Sequence, residues 1–555
     1  MTNYYQANTS ESKLRGQYYT PAELVQMMVG DLRLGVGDCI IDPACGDGQF
    51  LRGVVAVLAS GCPSGERESL GRALAGRLIG FDIDATAVEK ARAGLHGALL
   101  EHFGVGISAE HLHIHQENVL DYSSLPELLR SVGIAPPGEH ERLTVIGNPP
   151  YVEAKRLDAA MKARLKKRFP EALLGAADLC LYFMHVCLSW LRADDRLAFV
   201  LPNKMLVNAC AQRLREQLLS EGRLTQIWFA TQAQIFPDAA VYPVVIFAQG
   251  ATEPHPVAIR HLVREGVAIS AREPIFVQPE LYRRTTTCAL FPMPDDAMLR
   301  SLLERLFRQS GGRLDDVLDI RWSVSFHRGG LREQYVMQQE PASAFGQRFL
   351  GGGAFTGNGE VVRYGLQWAG WWIDYDEQRL KAEGNQVPPL SLFQPAKIIF
   401  CQNGRTLRAA FDAQGFVLKD TLLCGTIREV PHPLCRFPRA IVGLLSSKLI
   451  HFFYSHVFYG GHVNDGYLHF LRSFLIDVPL GEWTAERAER VDGLVRQREV
   501  TRAADAQVRL EDEIEGVVRE AFGLTKAEVE ALEEWIGSDV NWQKRERVRK
   551  PGGWV

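Results

Sequence analysis

Four consecutive residues, Asn148, Pro149, Pro150 and Tyr151, end the apolar run of "VIGNPPYV". Proline cannot donate to a sheet ladder, so a strand must stop there and the backbone must stiffen. An asparagine before proline is pushed towards an extended conformation, which holds its side-chain amide at a fixed angle. The motif thus offers two oxygen acceptors, the Asn148 carboxamide and the Pro149 carbonyl, beside an aromatic ring. An amino group conjugated to a planar ring is a poor nucleophile because its lone pair is delocalised. Two acceptors that bind its hydrogens out of the ring plane draw the nitrogen towards tetrahedral geometry and free the lone pair for in-line attack on an activated methyl group. Geometry and electrostatics do the work, and no strong base is required. Tyr151 can stack on the ring.

Three upstream strand tips carry further candidates. In "IIDPACGDGQFL" a strand ends at Asp42, a turn with Gly46 and Gly48 follows, and a helix begins near Gln49. Glycines allow close backbone approach to a ligand, and a helix N-terminus favours a carboxylate or phosphate. In "LIGFDID" the acidic tip Asp82 can accept both hydroxyls of a ribose, while Asp84 suits a helix N-cap. In "ENVLDY" Asn118 can hydrogen-bond the exocyclic amine of an adenine. A methionine-end loop, a ribose acceptor and a base contact suggest S-adenosylmethionine over NAD, since the GxGxxG fingerprint is missing.

These tips need a scaffold. Short apolar runs (Cys39–Ala44, Arg77–Asp84, His111–Leu120, Arg142–Pro150, Asp195–Pro202, Leu224–Ala230) alternate with helix-length periodic segments. That alternation predicts an α/β fold with a parallel sheet covered on both faces, with ligands at the carboxyl ends of its strands. With 555 residues the chain is too long for one ordinary core, so several domains are expected. Past Gly250 the rhythm changes to short strands rich in glycine and aromatics, and from Trp483 onwards to charged helices. The expected division is a catalytic domain over 1–280, a second α/β domain over 281–482 and a helical segment over 483–555. Sparse apolar positions in that last segment predict helices packed back on another domain and argue against a long coiled coil.

Composition narrows the class. A net charge of −4 announces no overall partner, although residues 321–480 lean basic. The ten cysteines form no CxxC pair and no Cys/His ligand spacing, so reduced core residues in a cytoplasmic protein are expected and no metal site. No apolar run approaches the roughly 18 residues of a membrane span, and no signal pattern opens the chain.

Taken together, the motifs resemble those of gamma-class amino-methyltransferases, specifically the adenine-N6 DNA methyltransferases. "RGQYYTPAELVQMMV" resembles the segment that closes over the methionine end of the cofactor, with Thr20 and Pro21 at its heart. "DPACGDGQF" resembles the cofactor loop, which carries the binding role to Asp42, Ala44, Gly46 and Gly48. "GFDID" resembles the ribose motif, with Asp82 and Ile83, and "NPPY" the catalytic tetrapeptide. In the third motif Asn118, beside Val119, stands where the family usually carries aspartate. "AQIFPDAAVYPVVIF" resembles a late hairpin whose aromatic stacks on the extruded base, a role that falls to Phe236. The resemblance spans most of the first 250 residues and continues more loosely through "KIIFCQNGRTLRAAFDAQGFVLKDTL", similar to a fused target-recognition domain, into C-terminal helices.

The resemblance implies a Rossmann-like catalytic sheet, S-adenosylmethionine as cofactor and double-stranded DNA as partner. It also implies a flipped adenine, because a base inside a duplex cannot present its amino group. Phosphate or base contacts are expected from Lys162, Lys166 and Lys167 in "KARLKKRF", and from Arg405, Arg408, Lys419 and Arg436 in the second domain. Related enzymes that also cut DNA carry a nuclease ahead of the first motif, which here begins by Arg15, so methylation without cleavage is expected. A monomer is expected, with a cognate restriction or defence-system protein as a further partner. Cytosine N4, a glutamine amide or RNA shares the same chemistry, though Ser more often replaces Asn148 in the cytosine group. A modification subunit inactive without partners is the non-enzymatic alternative; the intact GNPPY and cofactor motifs speak against it.

Overall fold

The computed structural model describes residues 20–63, 65–170, 175, 177–230, 243–266, 268–309, 311–326, 332–351, 360–463, 467–545, 549–550 and 553–554. The chain divides into two compact units. The first comprises Met1–Arg283 with Cys288–Pro292, and the second Arg284–Thr287 with Met293–Val555. Each is a mixed α/β structure built around a central sheet.

The first unit is organised by ten strands: β1 (Cys39–Asp42), β2 (Leu78–Asp82), β3 (His113–Gln116), β4 (Leu143–Gly147), β5 (Arg196–Pro202), β6 (Leu224–Phe229), β7 (Pro243–Gln249), β8 (Val257–Glu265), β9 (Ala268–Ala271) and β10 (Ile275–Val277). Their order across the sheet is β10-β8-β6-β7-β5-β4-β1-β2-β3, with β9 paired to β8. β1, β2, β4 and β5 are apolar almost throughout and buried, as strands covered on both faces must be. The pairings that join β3, β2, β1, β4 and β5 are all parallel, as the alternation of strands and helices predicts. The departure is β7, which lies antiparallel between β5 and β6. The apolar run of Pro243–Gln249 does not reveal its direction, because strand periodicity is the same either way along the chain.

Helices α1 (Ala22–Leu32), α2 (Gln49–Ser60), α3 (Arg67–Ala75) and α4 (Ala85–Phe103) supply one packed layer. There Leu24, Met28, Leu51, Val54, Val88 and Leu95 join Ile40, Leu78 and Ile114 in one core. Helix α5 (Leu125–Ser131) follows β3, and α6 (Ala159–Arg168) follows β4. Helix α7 (Leu179–Trp190), apolar nearly all round, packs against β5. After β1 the chain adds strands on one side (β2, β3) and then returns to add β4 and β5 on the other. The crevice between the carboxyl ends of β1 and β4 is therefore the switch point, where open α/β sheets bind ligands.

The second unit centres on an antiparallel sheet of β11 (Leu318–Trp322), β12 (Lys397–Cys401), β13 (Ala409–Asp412) and β14 (Leu422–Ile427), in the order β11-β14-β12-β13. Helices α8 (Arg439–Leu445), α9 (Ala485–Val500) and α10 (Ala504–Ala521) pack together. A Cβ at Gly443 would stand 2.6 Å from Val491 and 3.2 Å from Ile514, so only glycine lets α8 approach this closely. The C-terminal helices thus pack back on a folded domain. Among the described residues no single helix is long and apolar enough to cross a membrane.

Candidate active site at the switch point

β1 ends in Asp42, 1% exposed. Its Oδ1 accepts from the Ala44 N–H at 3.1 Å. A Cβ on Gly147, at the end of neighbouring β4, would stand 2.6 Å from that same oxygen. Glycine before Asn148 is thus what allows the two strand tips to come together. Asp42 Oδ2 is buried with no hydrogen-bond partner among the described residues. Burial first, opposed by the Ala44 hydrogen bond and reinforced by Asp82 and Asp47, pushes this carboxyl up to about 8.

The loop after Asp42 is shaped by Gly46 (φ 53°) and Gly48 (φ 82°), both in the left-handed region that favours glycine. Gly48 also meets the α4 backbone, since a Cβ there would lie 3.1 Å from Ala91 Cα. The Asp82 carboxylate braces this loop: Oδ2 accepts from Gly46 N–H at 2.9 Å and Oδ1 from Asp84 N–H at 2.9 Å. Burial raises its pKa as well. Asp84 caps α4 by accepting from Thr86 N–H, the role its position predicts. Ile83, 71% exposed, is an uncovered apolar side chain between the two aspartates.

Asn118 has a local task. Its Oδ1 accepts from Leu120 N–H at 3.2 Å and its Nδ2 donates to Asp121 at 3.0 Å, capping the short turn Val119–Asp121. A second lone pair on Oδ1 is the acceptor left for a ligand. Val119 is buried.

The β4 tip continues into Asn148, whose Nδ2 donates to Thr20 Oγ1 at 3.1 Å. Thr20 is 2% exposed, and its carbonyl accepts from Gln49 Nε2 at the start of α2. Pro21 precedes α1 as its N-cap. Thr20, Asn148 and the helix after the Gly46–Gly48 loop are therefore joined by direct hydrogen bonds. Pro149 is buried, whereas Pro150 and Tyr151 are half-buried. The segment after Tyr151 is fastened twice to the entry of α7, with Leu179 N–H donating to Val152 O and Ala154 N–H to Asp178, each at 2.9 Å. Lys204 Nζ reaches Glu153 at 3.3 Å, joining this segment to the turn after β5.

Sequence reasoning missed Gln49, Glu153, Lys204 and Asn203. Asn203 follows β5, is 2% exposed and has an Nδ2 with no partner among the described residues. Its place after Leu-Pro at a strand tip was the signal that could have found it. Phe236 lies outside the described residues.

Of the cations expected to meet DNA, Lys162, Lys166 and Lys167 are exposed on α6 while Leu165 of the same helix is buried. In the second unit Arg436 is exposed and Lys419 half-buried. Arg405 and Arg408 require correction. Arg405 is 8% exposed, bonds Asn541 at 3.1 Å and lies over the Tyr467 ring; Arg408 is 7% exposed and donates to the Arg545 carbonyl. Both guanidinium groups are taken up by the protein interior, so neither is placed at the surface for a phosphate.

Residues 77–236 match the Eco57I restriction-modification methylase family, and residues 354–480 the TaqI-like C-terminal specificity domain. Curated relatives include the Type II methyltransferase M.TthHB8I of Thermus thermophilus. It is 27% identical over 244 residues, covering 43% of this chain and 46% of that protein. The Type II methyltransferase M.XhoI of Xanthomonas vasicola is 25% identical over 209 residues, 37% of this chain and 36% of that protein. In both cases the match spans less than half of the relative's length. The type IIL restriction-modification enzyme MmeI, solved in complex with DNA, shares the fold with a TM-score of 0.54 at 14% identity, covering 94% of this chain and 75% of that one.

Proposed function

We propose that the chain is a site-specific DNA adenine-N6 methyltransferase that uses S-adenosylmethionine. The match to a restriction-modification methylase family over the catalytic sheet and to a specificity domain beyond residue 350 supports the substrate class. The observation that carries the reading is the meeting of two strand tips: Asn148 directly follows the glycine that packs against Asp42, the residue opening the Gly46–Gly48 loop.

The residues present fit the cofactor. Asp42 keeps a buried carboxylate oxygen without a partner among the described residues, beside Asp82 and Asp47. Its raised pKa keeps Asp42 largely protonated at neutral pH without a ligand, and the sulfonium and ammonium charges of the cofactor would favour its ionised form. Asp82 retains lone pairs for the ribose hydroxyls, Ile83 offers an apolar surface to the adenine, and Thr20, Pro21, Ala44, Gly46 and Gly48 frame the methionine end. When bound, the cofactor supplies an electrophilic methyl group. Asn148 Oδ1 and the Pro149 carbonyl accept the two hydrogens of the target amino group and hold its lone pair towards that methyl. Tyr151, with Phe236, stacks on the flipped base. This offsets an extrusion cost of a few kcal/mol.

The exposed lysines of α6 neutralise phosphates, and the second unit reads sequence. The chain methylates without cutting. Expression in a methylation-free host followed by single-molecule sequencing reports base, position and motif at once. The expected result is N6-methyladenine at one short motif in uncut DNA; N4-methylcytosine or unmodified DNA refutes the reading. Purified protein with Mg²⁺ and unmethylated plasmid should leave the plasmid intact, and double-strand breaks would overturn that part.

A further inference from the structure

We infer that Thr20 is a positioning residue for the catalytic amide, a role distinct from any contact it makes with the cofactor. The inference rests on the reading of Asn148 as the residue that activates the target amine. A carboxamide has two ends of nearly equal size and opposite hydrogen-bonding sense. Only the oxygen can accept from the substrate amino group. The same side chain turned over presents two N–H groups to a nitrogen that must itself surrender hydrogens, and the site is dead. Backbone stiffness from Pro149 and Pro150 fixes where the carboxamide sits but not which end faces the base.

Thr20 supplies such a constraint. Its hydroxyl oxygen stands 3.1 Å from Asn148 Nδ2 and accepts from it. At 2% exposure the hydroxyl lies out of reach of competing bulk water. The contact bridges 128 positions of sequence, so no local turn imposes it. Thr20 is itself held, through its carbonyl, by Gln49 at the first position of α2, and the Pro21 carbonyl accepts from Val25 N–H at 3.1 Å as α1 begins. The hydroxyl is thus anchored from two helices, one of which opens at the cofactor loop. With Nδ2 engaged in this way, Oδ1 is the end of the amide turned away from Thr20 and presented to the substrate. Because α2 begins at Gln49, the loop that holds the cofactor and the amide that holds the base share one hydrogen-bonded chain, Gln49–Thr20–Asn148.

The test separates positioning from cofactor binding. Thr20→Val keeps the side chain's size and removes the hydroxyl, and Thr20→Ser restores the hydroxyl. Wild-type methyl transfer to genomic DNA from a methylation-free host is measured first, which tests the parent reading on its own. At saturating cofactor, Thr20→Val should lower kcat about 10- to 100-fold, the scale expected when a reacting group is misplaced. The calorimetric Kd for S-adenosylhomocysteine, measured alongside, reports any contact of Thr20 with the cofactor separately, and Thr20→Ser should recover most of kcat. If Thr20→Val does not fold, as judged by circular dichroism, the Ser–Ala pair makes the same comparison. A loss confined to cofactor affinity, with kcat intact at saturation, overturns the proposal. So does a serine variant as slow as the valine one.

Discussion

The tip of β1 in the first unit and the interior ion pairs of the second treat buried charge in opposite ways. In the first, Asp42 is buried with one carboxylate oxygen lacking a partner among the described residues, and its pKa is pushed up to about 8. In the second, several interior charges are matched. Lys397 and Asp412, paired across neighbouring strands and both fully buried, bond each other, and Asp412 also accepts from Gln414 and Phe416 N–H groups. Arg363 bonds Glu511 and the Ser446 carbonyl, and Arg439 bonds Glu499 at 3.1 Å while lying over the Phe411 ring. A buried charge left without its counterpart costs free energy. At Asp42 burial favours the neutral, protonated carboxyl, which a cationic ligand would reverse; where charges are matched, they serve the fold.

That contrast can be broken in five places. The largest effect belongs to Asn148→Ala: methyl transfer should fall by about 10²–10³-fold or more, as when a preorganised polar group is removed from a reacting centre, while cofactor affinity measured by calorimetry is largely kept. Near-wild-type turnover would contradict the chemistry assigned to the β4 tip. Next is Lys397→Met, which strands the Asp412 carboxylate in the interior and should cost about 3–5 kcal/mol in urea unfolding. The double variant with Asp412→Leu should regain much of that loss; equal losses in the single and double variants would show that the pair is not the cause.

Asp42→Asn gives a smaller effect with a definite sign. The folded pKa lies above the unfolded value, near 4, so Asp42's contribution to stability is full below pH ~4 and is lost as pH rises through about 8. Each tenfold difference in proton affinity between the folded and unfolded chain corresponds to ~1.4 kcal/mol. Without cofactor, the asparagine variant should therefore melt higher than wild type at pH 9, with the gap closing towards pH 5. A pH-independent difference would deny the burial of this charge. Smallest of all, replacing Lys166 or Lys167 by alanine should reduce the salt slope of DNA binding by about one each and leave the melting temperature unchanged. Arg405→Gln and Arg408→Gln should do the reverse, lowering stability with little change in salt slope.

The same contrast explains what could be read from the sequence. The parallel strands and their polar tips were legible because the apolar pattern stops abruptly at strand ends: Asp42, Asp82 and Asn148 each end or directly follow an apolar run. Asp84 was legible as a cap because its partner, Thr86, is local. Arg405 and Arg408 were not, since a guanidinium facing DNA and one bonded to Asn541 or the Arg545 carbonyl look alike in sequence, and those partners lie more than 130 positions away. The Thr20–Asn148 contact was hidden for the same reason, although both residues were singled out.

The most direct measurement of the central claim is nucleoside mass spectrometry. Duplex DNA from a methylation-free host is incubated with the protein and S-adenosylmethionine carrying a trideuterated methyl group, then digested. Deuterated N6-methyldeoxyadenosine, dependent on Asn148, is expected, and no labelled N4-methyldeoxycytidine. Label appearing on cytosine, or on adenine equally well with the Asn148→Ala variant, would contradict the claim.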